Sequence, residues 1–547
     1  MSKIAKELSK MNEERKLRRE ETVTNFMGGD SYKINPLDTL KMIAASSIFG
    51  EASYYRNTVR DGHYRFLAEY SDKFAEEIFK FYDGKSTTEI FQEAIDASLD
   101  YDFKGTLELA AELRNTYNMR LNPQVIMVRA SVHPKRIEFT KEFPNEFNRI
   151  NQLVMHRADE PVTQLTYYLW LAKGQKNKIP SLLKRSTAKK LSSLPAYAVN
   201  KYKNAEIGMI NAVRITHAHS QVIDELMKTG SVTVSEDKQT WEQKRSAGMS
   251  WREIVETTDM GHMAMLRNLR NIFTEVDDRQ FCDVFLNKLK DGVLTGKQFP
   301  FRYYSAYNAV KACSDIHHKD DILLALEQCM NISVDNMPKL KGRTMCLSDN
   351  SGSAWGCIPS EYGSVTIAEI DNLSSVIASR CSDSGEVGKF GDKLIVFDTK
   401  KGSILDQTRK ITDKHYQDVG GSTEGGIWKF FRDAIRNKTY YDNIFIFSDQ
   451  QAGTGGLYGT SEDTREYQGQ GYACKGNRYI NVYKLILDYR KYVNPKVNVF
   501  SVQTAGYNNI LIPQMSYRCA MLTGWTGKEI LFASEYIRQW DEIESKS

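Results

Sequence analysis

The chain has 547 residues, of which 41% are hydrophobic and 26% are charged, and its formal net charge at pH 7 is +5. This length exceeds one ordinary core, so two or more domains are expected, and the composition is that of a folded protein. No uninterrupted apolar stretch is long enough to span a bilayer. The eight cysteines form no Cys-x-x-Cys pair, which argues against a zinc site and fits a reducing cytoplasm.

Residues 1–30 are highly charged and lack the apolar core of a secretory signal, so we expect a solvated helix or a frayed extension. Over residues 31–340, apolar side chains recur at helical spacing, as at Leu37, Leu40 and Ala44. Ser250 and Glu253 have the spacing of a capping box, which marks the start of a helix. This segment therefore predicts a stacked array of short α-helices.

One stretch of the helical segment, residues 173–203, carries nine cations and no Asp or Glu. Tyr197 lies among these cations, and Arg214 and His217 follow shortly. A field of one sign attracts a polyanion and releases counterions on binding, which favours nucleic acid over a merely solvated helix face. The cations are Lys173, Lys176, Lys178, Lys184, Arg185, Lys189, Lys190, Lys201 and Lys203.

Over residues 341–547 strand-like apolar runs alternate with helical segments. This alternation indicates a doubly wound α/β domain with a mostly parallel sheet, whose ligands bind at the carboxyl ends of strands. The predicted strands lie at 343–348, 394–397, 444–448 and 497–502. The predicted helices lie at 364–378, 426–435, 480–492 and 528–538.

Two aspartates, Asp349 and Asp449, follow predicted strands of this domain. Asp349 begins a turn in which Ser351 and Ser353 stand at alternate positions. Carboxylate and hydroxyl oxygens that converge on one point suit a hard cation such as Mg²⁺. The same residues could instead form a strand-end hydrogen-bond cluster without an ion.

Together with the glycine-rich turn at 420–426, this pattern resembles the von Willebrand factor type A domain and its metal-ion-dependent adhesion site. In that family the ligands are an Asp-x-Ser-x-Ser motif after the first strand, a threonine from a later loop and an aspartate after the fourth strand. The resemblance implies a divalent cation, expected to be Mg²⁺, held by Asp349, Ser351, Ser353, Thr423 and Asp449.

The preceding segment resembles the TROVE module of the Ro ribonucleoprotein family. The likeness lies in residues 35–40, 201–203 and 214–217, and in Gly261-His262-Met263-Ala264-Met265-Leu266-Arg267-Asn268-Leu269-Arg270. A helical module followed by a type A domain is the Ro order. The resemblance implies a ring of HEAT-like helical repeats with a central hole, closed by the type A domain.

The resemblance also implies the ligands. Ro proteins bind small noncoding Y RNAs on the outer surface of the ring, and they admit single-stranded 3′ ends of misfolded RNAs into the hole. Lys201 and His217 match the family's Y-RNA contacts, whereas Ala205 stands where relatives carry an arginine. Further phosphate contacts are expected from Lys203, Arg214, Lys184, Arg185, Lys189 and Lys190.

Arg267 and Arg270 are candidates to line the hole, because Met263, Leu266 and Leu269 of the same segment are expected to face a core and leave the arginines pointing outward. A tyrosine cluster follows the helical motif near residue 300. Its members are expected to pack in the interior instead of stacking on bases: Tyr303, Tyr304 and Tyr307.

No phosphate-binding loop, His-Glu-x-x-His motif or dinucleotide fingerprint occurs, so we expect a binding protein and not an enzyme. The expected partners are Y-like RNA, misfolded RNA and an exoribonuclease such as polynucleotide phosphorylase, in the cytoplasm and without a membrane. Two alternatives stay open. One is an adhesion-type module whose metal coordinates an acidic side chain of a protein ligand. The other is a metal-dependent nuclease, which would need several carboxylates around its ions.

Overall fold

A computed structural model of the chain describes most of the two predicted domains. No helix in this described part is both long and apolar enough to cross a bilayer. The described residues are 22–24, 30–32, 36–45, 87–117, 119–172, 179–201, 207–235, 239–356, 365–413, 418–421, 423–449, 465–466, 469–470, 472–474, 479–480, 482–504, 515–523 and 527–545.

Where the structure describes it, the amino-terminal region is helical apart from two short antiparallel strands, β1 (Thr22–Thr24) and β2 (Asp30–Tyr32). Its last helix is followed by a 3-10 turn at Val334–Asn336. In chain order the helices are α1 Pro36–Ala45, α2 Thr87–Tyr101, α3 Phe103–Asn115, α4 Asn122–Val132, α5 Arg136–Glu142, α6 Glu146–Val154, α7 Glu160–Leu171, α8 Ser181–Ser192, α9 Ala196–Lys201, α10 Met209–Thr216, α11 Gln221–Thr229, α12 Trp241–Ser246, α13 Trp251–Thr257, α14 His262–Glu275, α15 Arg279–Asp291, α16 Val293–Gly296, α17 Pro300–Lys311 and α18 Lys319–Ser333.

Capping side chains account for the ends of several of these helices. The carboxylate of Asp102 accepts the Gly105 N–H at 2.8 Å at the start of α3. The predicted capping box is present at α13, where the Ser250 hydroxyl accepts the Glu253 N–H at 3.2 Å and the Glu253 carboxylate accepts the Ser250 N–H at 3.0 Å. Gly230 ends α11 with a φ of 76°, a left-handed conformation that costs glycine little.

A buried polar network holds α8 against three earlier helices. The side-chain amide of Gln164 on α7 donates to Gln124 on α4 and to Asn151 on α6, both at 2.7 Å. The amide of Asn151 in turn donates to the hydroxyl of Ser186 on α8 at 2.9 Å. All four residues are fully buried, so these bonds form in a low-dielectric interior and fix the orientation of α8.

The carboxyl-terminal region is built on a seven-stranded sheet of order β10-β11-β9-β6-β3-β4-β5. Its five inner strands are parallel, and the edge strands β5 and β10 run antiparallel to their neighbours. The strands are β3 Leu340–Asp349, β4 Ser382–Phe390, β5 Leu394–Asp398, β6 Asn443–Ser448, β9 Asn498–Gln503, β10 Met515–Ser516 and β11 Cys519–Thr523. A separate pair is formed by β7 Ala473–Cys474 and β8 Tyr479–Ile480.

In the described part of this domain six helices accompany the sheet, so the predicted fold class, a helical region followed by an α/β domain, is confirmed. The strands β4 and β11 were absent from the sequence prediction. In β4 the cause is plain, because Ser382, Asp383, Ser384 and Gly385 interrupt any apolar run. The helices are α19 Gly352–Gly356, α20 Ile367–Arg380, α21 Ile404–Thr412, α22 Glu424–Arg436, α23 Val482–Tyr492 and α24 Lys528–Ser545.

The two regions share a contact surface between α17, α18 and α21. The guanidinium of Arg409 on α21 donates to the hydroxyl of Tyr307 on α17 and lies 5.3 Å from its ring centre. The Ile404 N–H at the start of α21 donates to the Asn331 side chain on α18 at 2.9 Å. These contacts join the helical region to the α/β domain.

Replacing Arg114 by Ala is expected to destabilise the helical region. Arg114 on α3 pairs with Glu160 on α7 at 2.9 Å, and neither side chain is more than 5% exposed. The substitution leaves a buried carboxylate without its cation, at a cost of about 3–5 kcal/mol. Urea unfolding followed by circular dichroism at 222 nm measures the change.

The matched control is Arg149→Ala, which breaks the pair of Arg149 with Glu146 on the surface of α6. Arg149 is 56% exposed, so solvent screens this pair and the expected loss is below about 1 kcal/mol. Equal losses in the two variants would contradict the stabilising role of the buried pair.

Candidate metal centre and nucleic-acid interface

Asp349 is the last residue of β3, an inner strand of the sheet, and its side chain is fully buried. Its Oδ1 accepts the N–H of Ser351 at 2.8 Å, which closes the turn after the strand. Its Oδ2 accepts the hydroxyl of Ser448, the last residue of β6, at 2.6 Å. Because β3 and β6 are parallel neighbours, their carboxyl ends meet at one edge, as a ligand site in such a sheet requires.

The other predicted ligands come to the same edge. Asp449 directly follows β6 and is fully buried. Gly352 donates its N–H to the Gly421 carbonyl at 3.2 Å, which places the turn after β3 against the glycine-rich loop. Thr423, only 5% exposed, stands at the end of that loop, where α22 begins. Ser353 lies in α19, immediately after the turn.

Electrostatics at this edge are unfavourable without a cation. Burial raises the pKa of Asp349, and the nearby Asp449 carboxylate raises it further, although hydrogen bonds from Ser448 and Ser351 oppose the shift. Two buried carboxylates that repel each other destabilise the folded chain when both are ionised. A bound cation would reverse that balance.

A layer of buried amides supports the turn from the side of α20. The carboxamide oxygen of Asn372 accepts the Ser348 hydroxyl at 2.7 Å and the Asn350 side-chain N–H at 2.8 Å. Its amide group donates to the Asn350 oxygen and to the Thr412 hydroxyl, both at 3.1 Å. These bonds position the residues on either side of Asp349, as outer-layer partners do at metal sites.

The donor set suits a hard divalent cation. It consists of the carboxylates of Asp349 and Asp449 with the hydroxyls of Ser351 and Thr423, and Ser353 stands at the next alternate position. Among the described residues no three His, Cys, Asp or Glu side chains converge on one point. An ion here would therefore take two carboxylates, hydroxyls and water, a set that suits Mg²⁺.

Sequence reasoning missed one residue near this edge, Asp371 on α20. It is fully buried, and burial raises its pKa, with further contributions from Asp349 and Asp449. One feature of the sequence could have identified Asp371. It is the only charged residue between Ile370 and Ser375, in a predicted helix. Periodicity identifies such a helix as buried but does not say which site its polar residues face.

The predicted RNA-contact residues on α8 differ in exposure. Arg185 and Lys189, one helical turn apart, are exposed. Lys184 and Lys190 are half-buried, and burial lowers the pKa of Lys190 while Glu160 opposes that shift. The exposed pair is therefore better placed to meet a phosphate backbone.

A later helix, α10, packs against α8 and carries two further predicted RNA contacts. Arg214 on α10 and His217, which ends α10 in a left-handed conformation with a φ of 58°, are both exposed. The N–H of His219 donates to the Ser192 hydroxyl at 3.1 Å, which holds the turn after α10 to the end of α8. We call Arg185, Lys189, Arg214 and His217 the cationic surface. Lys201 ends α9, and Lys203 and Ala205 lie outside the described residues.

Arg267 and Arg270 are exposed on α14, while Leu266 and Leu269 of the same helix are buried. The three tyrosines of α17 are buried, as expected for packing residues. Tyr303 contacts the ring of His262 through its hydroxyl at 2.7 Å. None of the three offers a face for base stacking.

Comparison with known proteins finds a family model that matches part of this chain and a solved structure that is similar to most of it. Residues 225–322 match the TROVE domain. The chain is also similar to the crystal structure of the Ro (RSR) protein of Deinococcus radiodurans, with a TM-score of 0.59 and 11% sequence identity. That match covers 82% of this chain and 93% of the Deinococcus chain. The chain carries a TROVE domain and has the Ro fold.

The predicted resemblance to the Ro family is thereby confirmed. The TROVE match includes Arg267 and Arg270 but ends before the α/β domain, and it begins after the cationic surface. The sequence match therefore does not reach the predicted metal ligands or the residues of α8 and α10.

Replacing Asp449 by Asn is expected to stabilise the metal-free protein at neutral pH. The raised pKa of Asp349 means that the folded state holds its proton more tightly than the unfolded state, so stability falls as pH rises between about 4 and about 7. Removing one charge of the pair should raise the free energy of unfolding by about 1–3 kcal/mol at pH 7.5. Thermal unfolding in EDTA at several pH values measures both effects.

The control is Asp315→Asn, which neutralises an exposed aspartate in the helical region. It should leave the pH dependence of the unfolding temperature as in the wild type. A lower unfolding temperature for Asp449→Asn in EDTA at pH 7.5 would show that the two carboxylates do not repel in the folded protein.

Proposed function

We propose that this chain is an RNA-binding protein of the Ro type, which acts in RNA quality control or degradation. The observation that carries the proposal is the exposed cationic surface on α8 and α10 in a chain with the Ro fold. Lysine and arginine neutralise phosphates and release counterions, which supplies most of the affinity for RNA. The charge excess is local, because the net charge of the whole chain is only +5.

The proposed ligands are a Y-like noncoding RNA on the outer surface of a helical ring and the single-stranded 3′ end of a misfolded RNA in its hole. Arg267 and Arg270 are the proposed contacts for the single strand, because both are exposed one turn apart on α14. Trp170, just before the basic stretch, is 61% exposed, and Tyr197, within it, is 44% exposed. Exposed aromatic faces of this kind can stack on unpaired bases.

The α/β domain is proposed to hold one divalent cation, expected to be Mg²⁺, through Asp349, Ser351, Ser353, Thr423 and Asp449. The mutual repulsion of the buried carboxylates supports this proposal, since a cation between them would offset it. The hydroxyls supply neutral oxygen ligands. The ion would hold the end of β3, the glycine-rich loop and the end of β6 together.

We further propose that the protein binds RNA without cleaving it. A two-metal nuclease needs several carboxylates around its ions, and the predicted ligand set has only two. Degradation would then depend on a partner exoribonuclease, such as polynucleotide phosphorylase, in the cytoplasm. The chain's own part would be to capture and present the RNA.

The variant Arg185→Glu/Lys189→Glu/Arg214→Glu is expected to weaken RNA binding. Three exposed phosphate contacts become repulsive, so the affinity for a hairpin with a single-stranded 3′ tail should fall at least about tenfold at 100 mM salt. The slope of log K against log salt should also fall by about three, one for each lost contact. Fluorescence anisotropy across a salt series measures both quantities.

The matched control is Lys400→Glu/Lys401→Glu/Lys410→Glu, which makes the same charge change at exposed cations of the α/β domain. It should bind the hairpin nearly as well as the wild type. If both triple variants lose affinity equally, the effect is one of net charge and the cationic surface is not the binding site.

Divalent cations are expected to stabilise the wild-type protein and not Asp349→Ala. At a concentration 100 times the dissociation constant, binding adds about 2.7 kcal/mol to the free energy of unfolding. Differential scanning calorimetry with and without MgCl₂ measures the shift. Ser351→Ala, which removes one hydroxyl and keeps both carboxylates, should give an intermediate response.

The same variants separate the two proposed activities. Asp349→Ala should bind the hairpin with wild-type affinity, because the cationic surface lies in the helical region. If a divalent cation stabilises Asp349→Ala as much as the wild type, the cation binds elsewhere in the protein.

A further inference from the structure

The strongest unexplained feature outside the predicted ligand set is the carboxylate of Asp371. It is 0% exposed, and in the described part of the chain neither of its oxygens has a hydrogen-bond partner of normal geometry, although the Thr504 hydroxyl lies nearby. Its neighbours on α20, Ile370 and Leu373, are also fully buried. A buried carboxylate in this state is unfavourable unless it is neutralised or compensated by a cation.

The charges that act on Asp371 are the two predicted metal-ligand carboxylates. Asp349 and Asp449 both raise its pKa, whereas no Lys or Arg side chain contributes to its shift. The buried lysine closest in the sheet, Lys389 on β4, instead faces Asp413 and Asp418. Among the residues that the structure describes, three carboxylates therefore act on one another near the carboxyl edge of the sheet, and no amine or guanidinium is among the causes of the shift at Asp371.

The arrangement of the carboxylates decides whether Asp371 contacts the ion directly or through water. In the described residues no three His, Cys, Asp or Glu side chains form a metal-binding group, so Asp371 does not join Asp349 and Asp449 in a direct ligand set. The remaining way for it to meet the cation is through a water molecule bound to that ion. Magnesium keeps several of its waters, and outer-layer carboxylates orient them.

We propose that Asp371 is a third carboxylate of the metal site, which accepts a hydrogen bond from ion-bound water and raises the affinity for divalent cations. This inference rests on the proposed metal binding. Asp371 is a positioning residue in this scheme, because it acts on the ion through water.

The third carboxylate also selects against one class of partner. With Asp349, Asp449 and Asp371 ionised, the negative charges outnumber the two positive charges of the ion. An acidic side chain of a protein ligand would then approach a site of net negative charge. The occupied site would hold water in its open position in preference to a carboxylate ligand.

The test compares Mn²⁺ binding to the full-length wild type, Asp371→Asn and Ser375→Ala by isothermal titration calorimetry. Ser375 is a buried residue of the same helix and serves as the matched control. Asp371→Asn should bind Mn²⁺ about 10 to 100 times more weakly, with Ser375→Ala unchanged. Asp371→Ser, a smaller neutral residue that leaves room for water, repeats the test if the Asn variant fails to fold.

Wild-type affinity in both Asp371 variants would overturn the inference. Failure of the proposed metal binding is distinguishable, because the wild type itself would then show no saturable binding, and Asp349→Ala would match it. If Ser375→Ala weakens binding as much as Asp371→Asn, helix packing and not the carboxylate is responsible, and the inference also fails.

The selectivity is tested by water-proton relaxation of the Mn²⁺-loaded proteins, with acetate as the carboxylate probe. Acetate should leave the relaxivity of the wild type unchanged and lower that of Asp371→Asn, as it displaces metal-bound water. A wild type that loses relaxivity to the same acetate concentration as the variant would overturn the selectivity.

Discussion

Parallel pairing of β3 with β6 brings two aspartates to one buried edge, and the organisation of the α/β domain depends on this constraint. The register of the two strands pairs Ser348 of β3 with Phe447 of β6, so Asp349 and Asp449 lie next to each other at the strand ends. The Ser448 hydroxyl donates to Asp349 and offsets part of the resulting repulsion. A hydroxyl cannot neutralise a carboxylate, so the two aspartates still repel each other, and the proposed cation would offset that repulsion.

The helices around this edge carry buried polar side chains that a purely structural core would not need. Asn372 holds Ser348, Asn350 and Thr412 by hydrogen bonds, and Asp371 precedes it on the same helix. Burying such groups is unfavourable unless each finds a partner, so their concentration on one side of α20 is typical of a site.

The cationic surface follows a different physical principle. Its side chains are exposed, and their effect on a polyanion comes from summed charge and counterion release instead of precise convergence. The fold contributes the orientation of α8. A buried hydrogen-bond network holds the inner face of this helix through Gln124, Asn151, Gln164 and Ser186. The two proposed activities thus use separate parts of the chain, one buried and one exposed, and can be altered independently.

The sequence by itself determined the fold class, because helical periodicity up to residue 340 and alternation of strands and helices beyond it depend on neighbours within one element. It also placed Asp349 and Asp449 after strands, since a strand followed by a turn is a local pattern. It missed β4, whose polar residues and glycine lack an apolar run although the strand is paired on both sides. Only the tertiary structure separated exposed Arg185 and Lys189 from half-buried Lys184 and Lys190, and only it brought Asp371 near Asp349 and Asp449. Exposure and convergence depend on residues far apart in the chain, and no local pattern encodes them.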